Sequence, residues 1–288
     1  YLDSRADAAY CARFPGRLQK LYRWWAAGYR GTRAERERHA RASFWLAIAI
    51  VPLLVTAHST LGFVFGLQGG RPGWFSALQP PAFVILAGVS GVGALIVIAA
   101  ILRRVLGERE RLGIPVFRWL SNLLMVLLAA YLYFLVVEWL TMTYAGPRHE
   151  AAVMRAVLFG PYRWIYWTGV VFLVVPFGLL FVQFVLRRFS LAVAVFSGLA
   201  ANVAAVAKRY VIVVPSQTHG ALLPYGVGSY TPTWVEWAVV VGLFALGIAA
   251  YVVFMKVFPI LDVDEEAEAA EPAQPERRPY GGAAGAGR

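Results

Sequence analysis

Six long apolar segments, separated by shorter polar stretches, dominate the pattern of this chain. They run over residues 43–66, 80–102, 118–142, 164–186, 190–214 and 233–255. An α-helix rises about 1.5 Å per residue and the hydrocarbon core of a membrane is about 30 Å thick, so each segment can cross it as one helix. The short alternation of apolar and polar residues that is typical of membrane β-barrels is absent. The pattern therefore predicts an all-α, polytopic transmembrane helix bundle with about six transmembrane helices.

The basic residues are distributed unevenly between the two sides of these segments. The chain has 27 Lys and Arg against 16 Asp and Glu, a net charge of +11. Ten of the 27 lie in the N-terminal segment that ends at Arg41, and a second group follows the second apolar segment. By the positive-inside rule both termini are predicted to be cytoplasmic. Because Glu35 and Glu37 are mixed with the N-terminal positive charges, we expect no nucleic-acid partner.

Three regions follow from this topology. Residues 1–42 form a basic cytoplasmic segment, in which apolar residues at helical spacing over 17–29 predict an amphipathic helix on the membrane surface. Residues 43–257 form the transmembrane domain. Residues 258–288 are first acidic and then rich in Pro, Gly and Ala, which predicts a disordered cytoplasmic tail.

Five ionisable side chains lie within the apolar segments or at their mouths, all toward the external side: His58, Glu138, Lys208, Arg209 and Glu236. An ionisable group in hydrocarbon is costly unless it faces a partner or a water-filled cavity, so a group of them at one depth indicates a functional site. Two further polar residues share helix faces with members of this set, Tyr131 with Glu138 and Asn202 with Arg209. The alternative is that the carboxylates only touch the interface and the two cations extend outward to reach water.

Small residues at three- and four-residue spacing predict where the membrane helices approach closely. On the second helix they are Ala87, Ser90, Gly91 and Ala94, and on the fifth they are Ala194, Gly198 and Asn202.

The sequence holds few metal ligands. Cys11 is its one cysteine, so a Cys-ligated iron–sulfur cluster or a structural zinc site cannot be built from this chain. Of the four histidines only His58 is intramembrane, which argues against a haem held by two histidines. No catalytic motif is present, and we name no catalytic residue and no metal ligand. Any metal centre must belong to a partner, so the chain is expected to be a component of a complex rather than a stand-alone enzyme.

Four stretches together resemble the NrfD/PsrC family, the quinone-interacting membrane subunits of polysulfide reductase and alternative complex III systems. They are KLYRWWAAGYRGT from Lys20, HSTLGFVFGLQGGRPGWFSALQPPAFVILAGVSG from His58, RYVIVVPS from Arg209 and YTPTWVEW from Tyr230. The resemblance covers residues 1–258.

The resemblance implies a multi-pass subunit in the cytoplasmic (inner) membrane of a prokaryote. Such a subunit passes electrons between menaquinone, or another quinone bound as substrate, and a ferredoxin-like iron–sulfur subunit outside, which serves a molybdopterin or multihaem cytochrome subunit. His58, Glu138 and Glu236 would then exchange protons, with Lys208 and Arg209 beside them. Two alternatives stay open: a non-catalytic anchor or proton-translocating subunit of such a complex, and a small-molecule permease.

The sequence departs from the family in its number of helices. Members usually have eight or more, arranged as two four-helix bundles, whereas six are predicted here. The chain opens at Tyr1 with a stretch that resembles the middle of the family, so we expect a fragment or split subunit that lacks the N-terminal bundle. Trp74, in the RPGW turn beyond the first helix, is a candidate contact for the docked partner.

Overall fold

The computed structural model of the chain describes residues 2–105, 112–219 and 228–257, which form helices and turns without any strand. The helices are α1 Leu2–Cys11, α2 Gln19–Ala26, α3 Arg33–Gly66, α4 Gln79–Val105, α5 Ile114–Leu140, α6 Arg148–Leu158, α7 Arg163–Val185, α8 Leu191–Thr218 and α9 Trp234–Val257. A single π-helical turn, Thr141–Ala145, continues α5. The all-α prediction is confirmed. The expected tail at 258–288 lies outside the described residues.

Six of these helices are long and apolar enough to cross a membrane: α3, α4, α5 with its π-helical turn, α7, α8 and α9. This confirms the predicted number of spans. The first membrane-spanning helix, α3, begins at Arg33, ten residues before its apolar segment. Its start is a capping box, because the Thr32 amide donates to the Glu35 carboxylate and the Glu35 amide donates back to the Thr32 hydroxyl. The polar first turns of α3 are therefore helical although they are too charged for hydrocarbon.

Two compact units divide the described residues, one within 51–231 and one within 1–50 together with 232–257. In the first, α8 packs on both α7 and α4, and α5 packs on α4 and α7. The buried core is aliphatic and aromatic, and it includes Val89, Ile96, Phe117, Leu124, Leu128 and Leu173. On α8 the buried face carries mostly alanines, from Ala194 to Ala207. Small side chains let the neighbouring backbones approach α8 closely.

The closest of these approaches joins α4 and α8. A Cβ added to Gly93 would lie 2.8 Å from the Gly198 carbonyl oxygen, and one added to Gly198 would lie 2.6 Å from the Gly93 carbonyl oxygen. The expected small-residue face of α8 is thus used. On α4, however, Gly91 faces open space and the buried glycine is Gly93. The contact therefore lies on a different side of α4 from the one that the spacing indicated.

The second unit contains α1, α2, the beginning of α3 and α9. The Arg5 guanidinium donates to the carbonyl oxygens of Ala26 and Ala27, 2.7 Å away in each case, and so satisfies acceptors at the end of α2. The Tyr22 hydroxyl donates to the carbonyl oxygen of Val257 at the end of α9. The helix expected within 17–29 is observed as α2, eight residues long.

Gly198→Ala should destabilise the protein, because the new methyl group would collide with the backbone of α4. Overpacking of a tight interface costs about 1–3 kcal/mol. The measurement is thermal unfolding of the purified protein in detergent. Gly91→Ala is the matched control, since a Cβ there meets nothing within 4 Å. Equal melting temperatures for the Gly198 and Gly91 variants would contradict the close approach.

Candidate functional site

Glu138 and Lys208 form an ion pair where α5 and α8 meet. The Lys208 Nζ lies 2.5 Å from the Glu138 Oε2. The Lys208 residue is only 9% exposed, and the Glu138 side chain is 21% exposed. A buried ammonium without a counter-charge would be strongly unfavourable, whereas paired charges at this depth are the usual arrangement in membrane proteins. Two of the five ionisable residues singled out in the sequence therefore meet.

A cavity of about 390 Å³ opens on one side of this pair. It lies between the end of α5 with its π-helical turn, the segment before α4, and the start of α6. Its polar lining comes from Ser76, Gln79, Glu138, Thr141, His149 and Glu150. Phe75 and Met142 add apolar surface. π-helical turns occur often at functional sites, and this one places Thr141 and Met142 in the cavity wall beside Glu138.

The RPGW turn lies in the segment between α3 and α4 and forms part of the cavity wall. The Trp74 amide donates to the Arg71 carbonyl oxygen, and Gly73 has a φ of +81°. Proline and glycine occupy the two central positions that a type II turn favours. The turn points the Gly73 amide at Glu150, whose Oε2 accepts its hydrogen bond at 2.6 Å. The Gln79 side-chain NH₂ group donates to the Gly73 carbonyl oxygen.

Trp74 fastens this turn to α8. Its indole N–H donates to the Ile212 carbonyl oxygen, 2.6 Å away, and its ring packs edge-to-face on Phe65. The residue is 8% exposed. The ring is thus packed inward in this chain, and the partner-docking role expected for Trp74 stays a prediction.

Glu150, in the first turn of α6, is a buried carboxyl outside the membrane-spanning helices. Burial raises its pKa, because a charged carboxylate loses hydration there. The hydrogen bond from the Gly73 amide and the neighbouring His149 act in the opposite direction and offset only part of this effect. Glu150 is therefore a carboxyl that takes up protons more readily than an ordinary glutamate.

Two smaller cavities of about 20 Å³ each also border the ion pair. Tyr131 lines one of them, and Tyr166 and Ser216 line the other. Each is large enough for about one water molecule. Tyr131, chosen in the sequence because it shares a face with Glu138, thus lies in the same cavity wall as Glu138 and Lys208.

Three other expected site residues lie away from these cavities. The His58 ring is half-exposed on α3, with its Nδ1 at 2.8 Å from the Leu54 carbonyl oxygen of its own helix. Arg209 is exposed on the face of α8 next to Lys208. The Asn202 side-chain NH₂ group donates to the Gly198 carbonyl oxygen at the contact between α8 and α4. None of these three residues lines any of the three cavities described around Glu138.

Glu236 belongs to the other unit, where it caps α9. Its Oε2 accepts hydrogen bonds from the amide and the hydroxyl of Thr233, at 2.6 and 2.8 Å. Thr and Glu three residues apart at a helix start are the signature of a capping box. This pattern was readable in the sequence and gives Glu236 a structural role.

Glu150 and Gln79 are the site residues that sequence reasoning missed. Gln79 stands just before the apolar part of α4, and Glu150 stands in a short amphipathic helix between two spans. A search confined to ionisable groups inside apolar segments passes over both. The available signal was the amphipathic pattern of RHEAAVMRAVL, in which Glu150 falls on the side of the buried Val153, Met154 and Val157. Among the described residues no group of three or more His, Cys, Asp or Glu could hold a metal ion.

Comparison with known proteins adds relatives from bacteria and archaea. A selenate reductase subunit of Mesobacillus selenatarsenatis is 26% identical over 77% of this chain and 52% of that protein. A putative dimethyl sulfoxide reductase membrane subunit of Halobacterium salinarum is 31% identical over 79% of this chain and 56% of that protein. An Hdr-like menaquinol oxidoreductase integral membrane subunit of Archaeoglobus fulgidus is 26% identical over 78% of this chain and 60% of that protein.

The chain thus spans a little over half the length of the curated relatives that it matches. The family model described as polysulphide reductase, NrfD, matches residues 10–221. This match covers most of the chain, including every residue of the ion pair and its cavities. With its helical membrane spans, the chain belongs to the NrfD polysulphide reductase family.

Proposed function

We propose that this chain is the quinone-exchanging membrane subunit of a respiratory oxidoreductase complex, and that the cavity beside Glu138 and Lys208 is where quinone chemistry meets a proton route. The proposal rests first on the buried ion pair, which opens on a cavity of about 390 Å³. Family membership supports the redox setting, since one relative is named as a menaquinol oxidoreductase subunit.

The cavity suits a quinone head group in size and in chemistry. Its volume falls within the range of about 300–1,000 Å³ that small-molecule sites usually have. Phe75 and Met142 offer apolar surface for a flat ring, while Gln79 and His149 offer hydrogen-bonding groups for its oxygens. A bound quinol would supply two electrons and two protons, and the protein must supply groups that accept the protons.

Glu138 is the proposed first proton acceptor, because its carboxylate lines the cavity and is held in place by Lys208. The Lys208 ammonium balances the carboxylate charge when Glu138 is ionised. When Glu138 takes a proton, the ammonium is left facing the two tyrosine-lined cavities that border the pair. The pair thereby couples proton uptake at the cavity to a change of charge inside the protein.

Glu150 is the proposed next carrier toward water. It lines the same cavity, is outside the spans, and has a raised pKa, so it holds a proton more readily than an ordinary glutamate. His149 stands beside it and is exposed. A route from Glu138 through the cavity to Glu150 and His149 ends at solvent.

The partners and the orientation belong to the same proposal. We place both termini in the cytoplasm of a prokaryotic cell, which puts the cavity at the external side of the cytoplasmic membrane. An iron–sulfur subunit of ferredoxin type would dock there and pass electrons to or from a molybdopterin or multihaem cytochrome subunit. The relatives' names as subunits of reductases support the existence of catalytic partners.

Glu138→Gln should reduce quinol-dependent electron transfer by about a hundredfold or more, because a neutral amide cannot accept the proton. The measurement is quinol oxidation by the purified complex, with co-purification of its other subunits as the check on assembly. The control is Glu37→Gln, which removes a carboxylate that is 54% exposed and should leave turnover unchanged.

The outcomes separate the proposal from its alternative. Loss of turnover in an assembled Glu138→Gln complex supports the redox site. Normal turnover with fewer protons released per electron would indicate a proton-translocating or anchoring subunit, with the quinone bound elsewhere. Normal turnover with normal proton release would contradict any role of the ion pair in the reaction.

Glu150 gives a prediction about pH. Because its pKa is raised in the folded protein, the folded state binds more protons than the unfolded state between the ordinary value of 4.5 and the raised value. Stability therefore falls as the pH rises through this window and stays lower above it. Glu150→Gln removes the titration, so the variant should melt above the wild type at pH 8 and close to it at pH 4. The measurement is the melting temperature against pH in detergent.

The same Glu37→Gln variant serves as the control, since it removes an exposed carboxylate from the chain. Its melting curve should stay parallel to that of the wild type. A Glu150→Gln curve that also runs parallel to the wild type across the whole pH range would show that Glu150 is ionised as easily as an exposed carboxylate, and would remove it from the proton route.

A further inference from the structure

A further cavity, larger than those beside the ion pair, lies at the other end of the α5 helix. Its volume is about 530 Å³, and it is formed by the beginning of α5, the end of α7 and the segment that follows α7. Its lining includes Ser121, which precedes Glu138 by 17 residues on α5. At about 1.5 Å per residue the two lie roughly 25 Å apart along the helix axis. The cavity is therefore separate from the site described above.

Two guanidinium groups make this cavity basic. Arg118 lies over the Phe189 ring at 5.9 Å from its centroid. Arg187 lies just after α7, in a left-handed backbone conformation with a φ of +52°. No acidic residue lines the cavity in the part of the chain that the structure describes. An arginine stacked on an aromatic ring keeps its N–H donors free at the edge of the guanidinium plane, where they can grip an anion.

Two buried donors in the cavity wall have no hydrogen-bond partner among the residues that the structure describes. The Ser121 Oγ and the Gln183 Nε2 are shielded from solvent and make no hydrogen bond to any described residue. Ser121 is 4% exposed. The Gln183 Oε1 accepts a hydrogen bond from the Ser190 amide at 2.7 Å, which fixes the side chain so that its NH₂ group is the end left over. Buried polar groups are nearly always hydrogen-bonded, so two unpartnered donors beside one cavity indicate a missing acceptor.

The remaining walls are apolar. Leu180, Phe184 and Phe189 line the cavity together with the polar groups. Phe184 and the neighbouring Val185 are also exposed on the outer surface of α7. A ligand held here would meet guanidinium and amide donors at one end and hydrocarbon at the other. This division matches an amphiphile better than a fully hydrated ion.

We propose that this cavity binds the phosphodiester head group of an anionic phospholipid. Arg118 and Arg187 supply charge and paired N–H donors to the phosphate oxygens. Ser121 and Gln183 supply the neutral donors, and the apolar wall receives the upper part of an acyl chain. Basic pockets between membrane helices are a known mode of anionic-lipid recognition. The assignment is independent of the quinone proposal, since it involves no residue of that site.

The test is native mass spectrometry of the purified complex, delipidated in mild detergent and then mixed with phosphatidylglycerol or with phosphatidylcholine of the same chain length. The wild type should retain phosphatidylglycerol in preference. Arg118→Gln and Arg187→Gln should each weaken that retention about fivefold. Arg188→Gln is the control, because Arg188 is exposed and does not line the cavity.

Ser121→Ala provides a variant that removes a single buried oxygen and no charge. It should weaken retention of phosphatidylglycerol about tenfold, the value of one hydrogen bond to a charged group. Inorganic phosphate is added in a separate arm. Displacement of the lipid by millimolar phosphate would assign the site to a free anion and overturn the lipid proposal. Equal retention of both lipids, or equal effects of the Arg118, Arg187 and Arg188 variants, would overturn it as well.

Discussion

The Glu138–Lys208 ion pair is the interaction on which the cavity-bearing end of the 51–231 unit depends. A buried ammonium left alone would be strongly destabilising, by about 3–5 kcal/mol once its partner is removed. The pair fixes the rotation of α5 against α8, because only one register brings the two side chains together. It also fixes where the cavities form, since Glu138 lines all three that surround the pair.

The RPGW turn and α6 pack beside that pair. The RPGW turn is held on one side by Trp74, which is bonded to α8, and on the other by Glu150, which is bonded to the Gly73 amide. Short α6 is thereby tied to the segment between α3 and α4. Residues far apart in the sequence, such as Gly73 and Glu150, become walls of one cavity. The proposed proton route follows this chain of contacts rather than any single helix.

The sequence predicts the membrane helices well because hydrocarbon imposes a simple requirement of length and apolarity. It also identifies Glu138 and Lys208, since each is conspicuous in an apolar segment. The spacing could not tell which charges meet, because that depends on how each helix is rotated. His58 and Arg209 share the expected depth of the pair but line none of its cavities. The same limit applies to Gly91 and Gly93, because the packing of the neighbouring helix decides which face of α4 is buried.

Other features were not predicted from the sequence, because the patterns that mark them are local or weak. Glu236 forms a capping box with Thr233, a pattern that explains the residue without reference to the membrane. Glu150 becomes a candidate site residue only in the folded structure, where it accepts a hydrogen bond from Gly73, which lies 77 residues away in the sequence. The arginine-lined cavity needs the end of α7 to meet the beginning of α5. Tertiary packing decides each of these, and a single sequence carries little information about it.

Photo-crosslinking of the purified complex with an azido-substituted quinone, followed by mapping of the labelled peptides, would locate the quinone itself. Labelling is expected in the peptides that contain residues 69–79 and 138–150, with protection by excess unlabelled quinol. Labelling confined to another part of this chain or to another subunit, with these two stretches unmodified, would contradict the placement of the quinone beside Glu138 and Lys208.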